Sequence, residues 1–164
     1  MRDSILHEAS AQVISSYRDK KWRIATAESC TGGLIAGALT AVAGSSAVFE
    51  RGFVTYSNAA KVDLLGVLPD MLESFGAVSG EVAEAMAQGA LEYSLADVAL
   101  SVTGIAGPDG GTTTKPVGLV YFGLARRDSG TFHLQCQFKG TRDQIRFEAV
   151  IEGIKLLSTA IKDD

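Results

Sequence analysis

The sequence of 164 residues holds two histidines, two cysteines, three prolines and one tryptophan. Each shortage removes a class of chemistry. His7 falls on an amphipathic N-terminal stretch and His133 on the polar side of an alternating run, so both read as surface residues. A Ser-His-Asp or Cys-His triad therefore lacks its base. Cys30 and Cys136 form no CxxC pair and lie far apart, which speaks against a zinc site and for reduced thiols in a cytoplasmic protein. Neither HExxH nor GxSxG occurs. GIAGPDGG (104–111) lacks the GK[ST] ending of a P-loop, and no GxGxxG follows a strand pattern. There is no Lys/Arg run, and the formal net charge is −4, so no footprint for nucleic acid is visible. The N-terminal stretch is charged, unlike a signal peptide, and LIAGALTAVAG is too short to cross a bilayer. No metal and no other cofactor is expected; Glu28 and Asp109 are two separated acids, too few for a cation site.

What is present is an ordinary globular balance, 46% hydrophobic and 21% charged, long enough for one domain with a real core. Helical spacing covers 4–18, and 22–27 reads as a buried strand. A helix over 33–43, rich in Ala and Leu, stops at Gly44. A second strand is expected over 52–56, then a short helix capped by Asn58 and running to Leu65. Pro69 opens another helical piece to Phe75, and Ser79 caps a helix to about Tyr93. Strands follow at 97–104, 118–126 and 131–138. In the last, Phe132, Leu134, Cys136 and Phe138 share one face and His133, Gln135 and Gln137 the other, the pattern of an antiparallel or edge strand. A final helix starts after Thr141 and runs to about Ile161. Helices and strands alternate first and paired strands come late. The expected fold is therefore a single-domain α/β sandwich over 1–164 with a mixed, partly antiparallel sheet.

Three segments look like a site, and all three follow strands. AESCTGG (27–33) places an acid, hydroxyls, a thiol and two glycines at a strand-to-helix turn. Gly32 and Gly33 allow close backbone approach, and the next helix offers free N–H groups to an anion. GFVTYSNAAK (52–61) brings Tyr56 and puts Lys61 in the first turn of a helix, where the positive dipole lowers a lysine pKa, as a general base requires. SVTGIAGPDGG (101–111) is a loop with four glycines in eight residues that can line a pocket with amides. In an open α/β sheet, parallel strands bring such segments together at their carboxyl ends. The residues alone leave Ser29, Thr31 and Ser46 open as nucleophile, with Cys30 as chemical rival.

TAESCTGGLIAGALTAVAGSSAVFERGFVTYSNAAKVDLLGV, then GAVS, then SVTGIAGPDGGTTTKPVGLVYFGLA closely resemble the CinA C-terminal domain family. The likeness runs from the first helix to GTRDQIR before the last. It implies an α/β/α sandwich and, as the family's best-known activity, a nicotinamide-nucleotide amidase that converts nicotinamide mononucleotide to nicotinic acid mononucleotide and ammonia. Larger members carry an extra N-terminal domain, and this chain looks like the stand-alone form. Other members are known only as competence- or damage-inducible proteins, so the alternative is a non-catalytic nucleotide-binding or regulatory module. Carried over residue by residue, the resemblance points to Ser29 as nucleophile with Tyr56 and Lys61 as the base system. Amides of Thr31, Gly32 and Gly33, or of the turn at Thr103 and Gly104, are expected to hold the oxyanion. Glu28, Cys30, Ser46, Gly107 and Arg142 complete the expected binding set, with phosphate and ribose on the loop 104–111. The partner is a small nucleotide, with neither nucleic acid nor membrane. An open strand edge is a route to a homodimer or higher homo-oligomer.

Overall fold

The computed structural model describes residues 1–162. Its sheet has the order β2-β1-β3-β4-β5. β1 (Ile24–Glu28) lies parallel to both β2 (Phe49–Val54) and β3 (Val98–Gly104). β4 (Leu119–Arg126) and β5 (Gly130–Gln137) continue antiparallel from β3. The sheet is mixed, as the late strand pairing in the sequence suggested, and β5 is an edge strand.

Two layers of helix cover the sheet, and strand alternation assigns each side chain to a layer. Ile24, Val98, Leu100, Val102, Val120, Phe122 and Leu124 face one layer. It is built from α1 (Arg2–Lys20), α2 (Leu34–Thr40) and α6 (Arg142–Lys162). Ala25, Ala27, Ala99 and Ala125 face the other. It holds α3 (Asn58–Leu65), α4 (Pro69–Phe75) and α5 (Gly80–Glu92). Large residues fill the first layer and small ones the second, so α5 sits close to the strands. At Gly123 an added Cβ would run into the carbonyl of Ala83 on α5.

Element boundaries shift from the sequence expectation for local reasons. Trp22 belongs to the turn after α1, where its N–H donates to Tyr17 O. β2 begins and ends earlier than expected because Phe49–Val54 is the stretch that pairs with β1; Thr55 still donates to Glu28 O before the chain leaves the sheet. α2 ends at Thr40, short of the expected 43. The cap of α3 is Ser57, whose hydroxyl accepts from Ala60 N–H, and not Asn58, which is the first helical residue.

Candidate active site

The three parallel strands release their chains on the same side of the sheet, and the three candidate segments meet there around a cleft of about 290 Å3. The first segment supplies Ser29 and Cys30, the second Tyr56 and Lys61, and the third Thr103, Gly104 and Gly107. Arg142, at the start of α6, closes the rim.

Strand parity decides which neighbours reach the cleft. Ser29 has the parity of Ala25 and Ala27 and faces the α3 layer, where Lys61 stands. Lys61 is only 1% exposed, with Nζ 3.1 Å from Ser29 Oγ, 3.1 Å from Thr55 O and 3.4 Å from Tyr56 O. Among the described residues no carboxylate pairs with it. Burial pushes its pKa below the ordinary lysine value. The sequence suggested the helix dipole as the cause; the structure assigns the shift to desolvation.

Glu28 has the opposite parity and points under α2. Its Oε1 accepts from Ile35 N–H at 2.9 Å and from Thr31 Oγ at 2.6 Å, and its Oε2 accepts from Ala36 N–H at 3.0 Å. Two corrections follow. The Glu28 and Thr31 side chains brace the turn and do not line the cleft. The first amides of α2, expected to receive an anion, are already taken by this carboxylate.

Gly32 and Gly33 have φ of 58° and 99°, the left-handed region that favours glycine, so their place is to bend the chain. Ser46 is displaced as well. It sits exposed in a 3-10 turn (Ser45–Ala47) before β2. That is the amino end of the sheet, about 20 Å from the cleft at ordinary strand rise. Tyr56 enters through its main chain: the carbonyl faces Lys61 and Ser29, while the residue as a whole is 60% exposed. Its hydroxyl accepts from Arg142 Nη2 at 3.1 Å, and Arg142 Nη1 donates to Gly107 O at 2.7 Å. Cys30 is buried, and desolvation raises its thiol pKa to about 11, which keeps it protonated.

A family model for the CinA C-terminal domain matches residues 6–161. The chain belongs to the CinA C-terminal domain family. It is 51% identical to nicotinamide-nucleotide amidohydrolase PncC of Enterobacter agglomerans, over 99% of this chain and 98% of the relative. It is 48% identical to PncC of Escherichia coli K12, over 96% and 95%. Competence/damage inducible protein CihA from Agrobacterium tumefaciens has a solved structure that superposes with a TM-score of 0.93. That match has 46% identity and covers 96% of both chains. In Caldicellulosiruptor bescii the matching part is 36% of a longer putative competence-damage inducible protein.

Within this CinA domain, sequence reasoning missed some participants. Ala77 and Val78 line the cleft, and Ala77 O accepts from Thr103 Oγ1 at 2.9 Å. Small apolar residues before a helix cap carry no signal of that role. Asn58 lines the cleft too, having been read only as a cap. Arg146 grips the 29–32 turn from α6, and its one cue was a second arginine a helical turn after Arg142.

Proposed function

We propose that this chain is a nicotinamide-nucleotide amidohydrolase in which Ser29 attacks the carboxamide and neutral Lys61 takes its proton. The observation that carries the reading is the buried contact between Lys61 Nζ and Ser29 Oγ, with no carboxylate partner to the lysine among the described residues. A neutral amine has two N–H donors and one lone pair. Thr55 O and Tyr56 O accept the two donors, which leaves the lone pair for the Ser29 hydroxyl proton. The new Oγ–C bond makes a tetrahedral oxyanion. Its collapse expels the amide nitrogen, which leaves as ammonia with the proton held on Lys61. Water then hydrolyses the ester by the same base. The phosphate and ribose lie along Arg142 and the loop 104–111. The reading also places the protein in the cytoplasm and includes self-association through an open edge, β2 or β5, which light scattering measures.

The test is ammonia release from nicotinamide mononucleotide by wild type, Ser29→Ala and Lys61→Ala, with and without EDTA. Turnover by wild type, loss of several orders of magnitude in both variants and indifference to EDTA support the proposal. Binding of the nucleotide without ammonia release would make the cleft a sensor and end the catalytic assignment.

A further inference from the structure

Arg146 stands one helical turn after Arg142 and approaches the nucleophile turn from α6. Its Nε donates to Cys30 O at 3.1 Å and its Nη2 to Thr31 O at 3.2 Å. Ser29 N–H is committed to Val102 O at 2.9 Å, and Gly32 N–H to Ser29 O at 3.0 Å. The second of these bonds closes a four-residue turn over 29–32. In such a turn the third residue's N–H is the one that a Ser or Thr hydroxyl at the first position can reach. Here that pair is Thr31 N–H and Ser29 Oγ. Thr31 N–H has no acceptor among the described residues. The 30–31 peptide is trans and planar, so its C=O and N–H point in opposite directions. Holding Cys30 O against Arg146 therefore holds Thr31 N–H toward the serine.

We propose that Arg146 is a positioning residue that aims the Thr31 N–H at the oxyanion formed when Ser29 Oγ adds to a carboxamide. The inference rests on the amidohydrolase reading above. In the step concerned, the Oγ–C bond forms, the C=O π pair moves onto oxygen, and the serine proton passes to Lys61 Nζ. Thr31 N–H then donates to that negative oxygen, and Arg146 itself touches no substrate atom.

Arg146→Ala and Arg146→Lys are compared with wild type for kcat, KM, melting temperature and rescue by free guanidinium. Loss of one aimed donor lowers kcat by about 100- to 1,000-fold. The expected result for Arg146→Ala is that loss with KM nearly unchanged, partly restored by guanidinium. Arg146→Lys, with one donor group in place of a fork, falls between and carries the test if the alanine variant does not fold. Unchanged kcat in a folded variant overturns the proposal. So does a rise in KM alone, which would make Arg146 a substrate ligand, or a loss that follows unfolding and resists guanidinium. Acetylation of Ser29 by p-nitrophenyl acetate, read by mass, separates the two levels. If wild type releases no ammonia yet acetylates Ser29, the amidase reading fails and a slower Arg146→Ala acetylation still supports the positioning role. If wild-type Ser29 takes no acetyl group either, both are overturned.

Discussion

Removing the Glu28 carboxylate tests the architecture of the turn after β1 without touching the cleft. The side chain is 1% exposed and accepts two amide hydrogens from α2 and the Thr31 hydroxyl hydrogen. Glu28→Ala leaves three donors without their acceptor, two of them buried and the third, Ala36 N–H, half-buried. Each buried donor without a partner costs about 1–3 kcal/mol, and the lost bonds were to a charged acceptor. The loss of a negative charge at a helix N-terminus adds a few tenths, about 0.5 kcal/mol. With some relaxation the sum is about 4 kcal/mol. For a chain of this length about 1 kcal/mol moves the melting temperature by 2–4 °C, so the expected fall is about 8–16 °C. Glu28→Gln keeps the shape but turns an NH2 group toward an amide hydrogen, and an intermediate fall is expected. Thermal unfolding followed by far-UV circular dichroism reads both. A melting temperature for Glu28→Ala within about 3 °C of wild type would refute the reasoning, because the donors would then have found other partners.

Lys61→Met removes an amine that burial disfavours as a cation. The folded pKa lies below the ordinary 10.5, so between the two values the unfolded chain binds more protons and wild-type stability rises with pH. The variant is expected to lose that slope, to melt no lower than wild type at neutral pH, and to release no ammonia; denaturant titrations across pH read the slope. Tyr56→Phe keeps the carbonyl that faces Lys61 and loses only the hydroxyl held by Arg142. Its kcat should stay near wild type while KM rises about 2- to 10-fold, the worth of one hydrogen bond; steady-state kinetics separate the two. Cys30→Ala should keep most activity, and iodoacetamide should leave Cys30 unlabelled at pH 8, since its thiol is held protonated to about 11.

The sequence carried the strands and the meeting of the three candidate segments because those depend on local periodicity and on where chains leave parallel strands. Ser79 capping α5 and Phe132 alternating with His133 are signals written in neighbouring residues. Four features were hidden because they depend on direction or on distant contacts. The AESCTGG turn shows an acid beside a serine, but only the parity of β1 reveals that Glu28 turns under α2 while Ser29 turns to α3. Ser46 looks like a site hydroxyl in the string, yet β2 runs parallel to β1 and strands it at the opposite end. The phenol of Tyr56 is the chemically attractive atom, whereas the chain leaving β2 presents its carbonyl. Arg146 lies more than a hundred residues from the carbonyls it holds. Its partners are main-chain atoms, which leave no mark on residue type.

The most direct test of the account is to quench the wild-type enzyme during turnover of nicotinamide mononucleotide and map the adduct by mass spectrometry. The account predicts an ester on Ser29 whose added mass is that of the substrate less ammonia, absent from Ser29→Ala and Lys61→Ala. An adduct on Cys30 or Thr31, or continued ammonia release by Ser29→Ala, would contradict it.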